Sequence, residues 1–412
     1  MTLRKAQKIS AVAAICTLTQ VGAAQFIAKP YLQLGGDRQM GMYKSLTLVW
    51  HAPDREGTWA VRVRNAGRTG LVKNIRYRVV KREGVPEHRV YTAPMTNLAA
   101  GLALKYEVLL GGKTVFASAS VAPKAPGQRF KFVVLGDTGI NSAGQRRVMS
   151  AVHNQHPDMV AVAGDIVYPK GTIPDYRRNF FPIANSDVRA ATVGGPSMRS
   201  TLWVAAPGNH DTGYRDAPDG LAFYDYWIQP AGGPTGGCFT FVYGNSHWVV
   251  LDSNPYVDWT KGKYRAWLEV ALQGGTRSDW SFVLFHHPPY SSSKTHAGDT
   301  HMRGIADLLT NHRVDLVFSG HVHNYQRTHP MRTSHGGKRW SFGLGTVYVV
   351  SGAGGAPLYD QEQAKDRSSW KPFTASFQPG FSFSLVEVDG KTLNLRQLDP
   401  AGNVLDQLRI LK

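Results

Sequence analysis

Cysteine is nearly absent from this chain of 412 residues, with two, at positions 16 and 238. Cys16 lies in an N-terminal stretch built like a secretory signal, so once that is removed Cys238 stands alone and no intrachain disulfide can form. The folded protein must then hold together by its core and by what it binds. Acid is scarce as well: 29 Asp+Glu face 47 Lys+Arg, a formal +18 with His neutral. That balance draws anions and favours small phosphorylated substrates. It equally fits an exported protein that touches membranes or nucleic acid without sequence preference, and no specific nucleic-acid partner is expected. Long hydrophobic runs are missing too. The stretch from Ile9 to Leu18 holds ten residues, against the ~20 that span a bilayer, so no transmembrane segment is expected.

The same stretch follows Arg4, Lys5 and Lys8 and leads to Gly22-Ala23-Ala24, which completes a signal peptide over 1–24 with cleavage before Gln25. A lipoprotein site at Cys16 is rejected because bulky Ile15 precedes it. The protein is therefore expected to be secreted or periplasmic. Apolar residues at 42% and 43 glycines fit a globular, loop-rich chain long enough for two domains.

From 25 to 122 short runs such as Ser45 to Trp50, Trp59 to Val63, Tyr77 to Val80, Arg89 to Thr92 and Lys105 to Leu110 alternate apolar and polar residues. They predict a small all-β sandwich of immunoglobulin or fibronectin type. It holds no cluster of His or acidic residues. Two prolines and a glycine in 123–128 mark a linker. From 129 to 412 strands and helices alternate, with helices expected at Ala143 to His156, Lys263 to Gln273 and Arg303 to His312, so this part reads as an α/β layered domain.

Five apolar strands in that part each run into a turn that carries a ligand-type residue: Gly136-Asp137-Thr138-Gly139, Gly164-Asp165-Ile166-Val167-Tyr168, Gly208-Asn209-His210-Asp211, Phe285-His286-His287 and Gly320-His321-Val322-His323. A lone Gly-Asp after a strand is more often a turn, and a lone His more often packs or faces solvent. Five such junctions in one chain point instead to a shared metal site. In an extended segment His321 and His323 would point the same way and reach one locus.

In this order the motifs GDTG, GDIVY, GNHD, VLFH and GHVH resemble the metallophosphoesterases, and within them the purple acid phosphatases. Gly139 stands where the wider superfamily has a His, and Tyr168 offers a phenolate in exchange. Lys29-Pro30-Tyr31-Leu32-Gln33 in the N-terminal part and Thr346 to Gly355 near the end share the resemblance, which thus covers nearly the whole mature chain. It implies a two-sheet β-sandwich flanked by helices, preceded by the fibronectin-III-like domain. It also implies a binuclear centre. Asp137, Tyr168 and His323 would hold Fe(III), Asn209, His286 and His321 a divalent ion (Fe, Zn or Mn), and Asp165 would bridge them. Hard anionic donors suit the trivalent ion, imidazoles and an amide the divalent one.

Two such ions activate water for in-line attack on a phosphomonoester with no phosphoenzyme. His210 is the first candidate to protonate the leaving oxygen and His296 the second, with His301 on the same loop and His287 beside the ligand His286. Lys294, Arg303 and Arg327 are candidates to meet phosphate oxygens, each weighed against a plain surface cation. A phosphodiesterase or nucleotide-cleaving enzyme on the same scaffold is the alternative reading. A non-catalytic platform held to a cell envelope by its basic surface is a further one, whose signature, a lost ligand, is missing.

Overall fold

The structure, a computed structural model, describes residues 26–36, 44–212 and 222–412, so the expected signal at 1–24 lies outside the described residues. Two large sheets carry the architecture. The first has ten strands in the order Val404–Leu411, Thr392–Leu398, Phe383–Asp389, Phe130–Leu135, Met159–Ala163, Leu202–Ala206, Ala28–Gln33, Leu46–Pro53, Val85–Met95 and Arg76–Arg82. The second has seven, in the order Phe239–Tyr243, Ser246–Val250, Trp280–Leu284, Leu316–Ser319, Val347–Ser351, Tyr325–Thr328 and Thr374–Gln378.

Their apolar faces pack on each other through aromatic residues. Phe132 sits against Trp248, Phe282 and Phe318, with ring centroids 4.9, 5.4 and 5.9 Å apart. Truncating a buried aromatic of this kind costs about 3–5 kcal/mol. Helix Ala143–Asn154 covers the outer face of the first sheet. Ser142 caps it, accepting from the Gln145 amide at 2.9 Å, and Val148, Met149 and Val152 at helical spacing are buried against Val133, Leu135 and Val160. Helix Gly262–Gln273 covers the second sheet with Leu268 and Leu272. The expected helix Arg303 to His312 is instead a 3-10 turn at His301–Ile305 that runs into a helix at Ala306–Asn311. No described helix is long and apolar enough to cross a membrane.

The N-terminal strands form a sandwich. A four-stranded sheet, ordered Arg68–Val72, Trp59–Asn65, Ala103–Leu110 and Lys113–Val121, packs Val61, Tyr106 and Val108 against Trp50 and Tyr91 of the ten-stranded sheet. Trp50 and Tyr91 stack at 5.3 Å. Hydrogen bonding does not stop at the linker: Ala28–Gln33 pairs antiparallel with Leu46–Pro53 on one side and parallel with Leu202–Ala206 on the other, with Leu32 opposite Leu202. One face of the sandwich is thus the far end of the main sheet.

Strand direction positions the site. Phe130–Leu135, Met159–Ala163 and Leu202–Ala206 are mutually parallel, as are Ser246–Val250, Trp280–Leu284, Leu316–Ser319 and Val347–Ser351. Parallel strands put their C-terminal ends on one rim, where open α/β sheets bind ligands. The two rims are joined by backbone, Gly136 N–H donating to Ser351 O at 2.8 Å.

Candidate metal centre

Leaving the strands, the chain turns sharply at each ligand-type residue. Asp137 and Asp165 take φ of 58° and 48°, a left-handed conformation that Asp tolerates better than most residues and that concentrates at functional sites. Each carboxylate is divided between two tasks. Asp165 Oδ1 accepts from the His210 amide at 2.8 Å and Asp137 Oδ2 from the His321 amide at 2.9 Å. Their other oxygens, Asp165 Oδ2 and Asp137 Oδ1, each lie 3.0 Å from the Tyr168 hydroxyl. His323 Nε2 is also 3.0 Å from that hydroxyl, and His286 Nε2 lies 3.0 Å from Asn209 Oδ1 and 3.3 Å from Asp165 Oδ2.

The tautomers follow from the far side of each ring. His323 Nδ1 meets the Pro357 carbonyl at 2.7 Å and His286 Nδ1 the Ala163 carbonyl at 2.8 Å. A carbonyl only accepts, so both Nδ1 atoms carry hydrogen, and Nε2 is the atom each ring turns inward toward the cluster. His321 Nε2 meets Asp299 Oδ2 at 2.9 Å, which leaves its Nδ1 as the lone-pair atom.

Two carboxylate oxygens, a phenol oxygen, an amide oxygen and two imidazole nitrogens therefore crowd together, mostly buried, with more acceptors than protons. Such a cluster is costly unless positive charge enters it. The protein alone answers with protons. Burial opposes charge on His286, yet the Asp165 carboxylate outweighs it and pushes this imidazole up to about 9. Burial and the two carboxylates raise the Tyr168 phenol well above its usual range. Cations displace protons from sites of this kind, so the donor set fits metal ions. Asp137, Tyr168 and His323 lie on one side of Asp165, and Asn209 and His286 on the other.

Glycines permit the crowding. A Cβ on Gly208 would lie 2.2 Å from Asp165 Oδ1, and one on Gly139 2.3 Å from the Ile166 carbonyl, so the loop around the Tyr168 backbone closes only without a side chain at 139.

A cleft of about 350 Å³ opens over these donors. His210, His287, His296 and His301 all line it, with Tyr256 and Tyr359. His210 packs its ring 4.3 Å from Tyr168, anchors Nδ1 on the Pro169 carbonyl at 2.7 Å and holds Nε2 3.9 Å from Asp165 Oδ2. Buried His287 faces Ser253 Oγ at 3.0 Å and packs its ring, tilted, 4.4 Å from that of His321. Burial first, then the neighbouring His286, His321 and His301, hold His287 well below the usual imidazole range, so it stays neutral. His296 has φ of 58°, lies 4.2 Å from His321 ring to ring and shares Asp299 Oδ2 with it at 3.2 Å. His301 is tied by Nε2 to the Ser253 carbonyl at 2.7 Å.

Two expectations are corrected. His321 and His323 do not meet by strand alternation: Leu316–Ser319 ends first, His321 is left-handed at φ of 69°, and the two imidazoles serve different sides of the cluster. The three cations considered for phosphate do not line the cleft. Arg327 is held by Asp406 at 2.6 and 2.9 Å, Arg303 by the Pro289 carbonyl at 2.6 Å and the Tyr290 ring, and Lys294 is on an exposed turn whose amide meets Gln363.

Three residues escaped sequence reasoning. Asp211, fully buried, accepts from the Ile166 and Gly208 amides at 3.0 and 2.8 Å and so locks the loop of Asp165 to that of Asn209. Its place in the GNHD motif was the available signal. Ser253 Oγ accepts from the His286 and His287 amides at 3.1 and 2.9 Å. Asp299, three residues from His296, carries no motif of its own.

A family model, calcineurin-like phosphoesterase, matches residues 130–325. Purple acid phosphatase 18 of Arabidopsis thaliana is 32% identical over 191 residues, covering 43% of this chain and 42% of the relative. Purple acid phosphatase 22 of the same plant is 27% identical over 216 residues, 50% of this chain and 47% of the relative. The chain thus spans about half the length of these plant relatives. An uncharacterized protein of Mycobacterium tuberculosis is 25% identical over 79% of this chain and 69% of its own. Among solved structures, purple acid phosphatase PPD1 of yellow lupin superposes with a TM-score of 0.73 at 20% identity, over 93% of this chain and 74% of that one, a likeness of fold.

Proposed function

We propose that this chain, a calcineurin-like phosphoesterase of the purple acid phosphatase type, is an exported acid phosphatase that hydrolyses small phosphomonoesters at a binuclear metal centre. The observation that carries the reading is the Tyr168 hydroxyl, 3.0 Å from Asp137, from Asp165 and from His323 at once. Asp137, Tyr168 and His323 would hold Fe(III), Asn209, His286 and His321 a divalent ion (Fe, Zn or Mn), with Asp165 shared. When bound, such a pair acidifies water and neutralises phosphate charge. Export rests on the signal-like residues 1–24, and we keep the division into a sandwich at 25–122, a linker at 123–128 and a catalytic part at 129–412.

The remaining steps belong to the side chains. With Nδ1–H committed to Pro169 O, His210 has Nε2 as the atom that moves a proton, and we assign it to the leaving oxygen. His296, held by Asp299, orients the phosphoryl group from the opposite wall. His287 is neutral and buried, which suits it to bracing His321 rather than to proton transfer. The test is to measure phosphomonoester and phosphodiester turnover on the purified protein beside its metal content. Two ions per chain with monoester turnover dominant is the expected result. Dominant diester turnover would overturn the substrate assignment, and failure to bind metal would overturn the centre.

A further inference from the structure

The outer face of the small sheet in the sandwich is unlike an ordinary solvated strand face. Alternation sends Val61, Val63, Leu104, Tyr106 and Val108 into the core, so Arg62, Arg64, Lys105 and Glu107 stand outward. Register then sets Arg62 opposite Glu107, with which it pairs, and Arg64 directly opposite Lys105. Both Arg64 and Lys105 are exposed, and neither makes an ion pair among the described residues. Like charges at facing positions on neighbouring strands, with Cβ atoms about 5 Å apart, are destabilising.

Aliphatic side chains border the pair. Ala117 lies opposite Glu107 and Ala119 opposite Lys105, while Leu71 lies opposite Arg62. Leu71 is 49% exposed and Val121, at the end of the same face, 40%. No acid other than Glu107 occurs on the four strands, which also carry Arg68 and Lys113.

We infer that this face docks on an anionic phospholipid surface, with Arg64 and Lys105 meeting headgroup phosphates and the aliphatic residues entering the interfacial layer. The aliphatic border favours a bilayer over an anionic polymer, which does not need it. The inference stands apart from the metal centre.

Co-sedimentation of the full chain with vesicles tests it. Vesicles of mixed phosphatidylglycerol and phosphatidylcholine should bind the protein at low salt and release it at high salt, and pure phosphatidylcholine should not bind it. Each Lys or Arg near an anionic surface contributes about five-fold in partitioning, so Arg64→Gln with Lys105→Gln should weaken binding by about 25-fold. Lys338→Gln with Arg339→Gln, on an exposed hairpin elsewhere, should change it far less. Lys105→Glu gives Arg64 a partner, so it should raise the melting temperature while abolishing vesicle binding, which separates loss of docking from loss of folding. Equal binding by the Arg64/Lys105 double variant, no binding of the parent to anionic vesicles, or retention on heparin in place of vesicles would overturn the inference.

Discussion

Across its ten strands the main sheet has two characters. At its centre Phe130–Leu135, Met159–Ala163 and Leu202–Ala206 are parallel, and their ends place Asp137, Asp165 and Asn209 on one rim. In the half that contains Leu46–Pro53, Val85–Met95 and Arg76–Arg82 they are antiparallel, and successive strand ends fall on opposite rims. Antiparallel order cannot gather donors from consecutive strand ends, whereas parallel order does so by default. The handling of charge differs too. The sandwich half satisfies Arg89 with Asp54 at 2.6 Å and Glu56 at 2.8 Å, and the other half leaves acceptors facing acceptors. One sheet thus combines a stable flank with a rim under electrostatic tension.

The sharpest way to break the comparison is to remove one carboxylate from each half. Asp165→Ala should abolish activity and release both ions, because one side chain serves two positions, and metal analysis per chain would show it. Asp54→Ala should leave metal content unchanged and cost no more than about 1 kcal/mol, since the pair it breaks is partly exposed. Retained metal in the Asp165 variant would refute the shared role. Next in size, His210→Ala should keep its metals and lose turnover by on the order of 10²–10⁴. Loss of metal there would make His210 a ligand instead.

Smaller again is Asp299→Asn. Asp299 fixes the His321 tautomer from outside the donor cluster, so its loss should weaken divalent-ion binding by on the order of 10–100-fold in titrations of the metal-free protein. An unchanged affinity would limit Asp299 to holding His296.

Much of this rim was legible in the sequence because each strand ended in a motif that turns, and turning residues and ligand types coincide there. The shared sheet was not legible. Ala28–Gln33 reads as one more strand of the sandwich, and nothing local in it reveals a parallel partner some 170 positions away at Leu202. The segment 173–200 went unread for another reason: its short turns, including a π-helical one at Tyr176–Phe180, have no sustained period. Asp299 and Ser253 act through distances across loops, which spacing along the chain does not encode.

The smallest expected effect lies in the stable flank and tests how separate the halves are. His88 is lowered from 6.5 to about 4, first by burial and then by the nearby Arg177. The unfolded chain therefore binds this proton more tightly, and the stability present above about pH 6.5 is lost progressively as pH falls to about 4. His88→Gln should flatten that part of the melting-temperature profile and leave metal content and turnover as they were. A profile identical to the parent's would mean that His88 does not titrate on unfolding.

The most direct measurement concerns Tyr168. If its phenolate binds Fe(III), the iron-loaded protein absorbs in the visible by phenolate-to-iron charge transfer, and Tyr168→Phe bleaches that band. An iron-replete protein without visible absorption, or one whose colour survives Tyr168→Phe, would contradict the account.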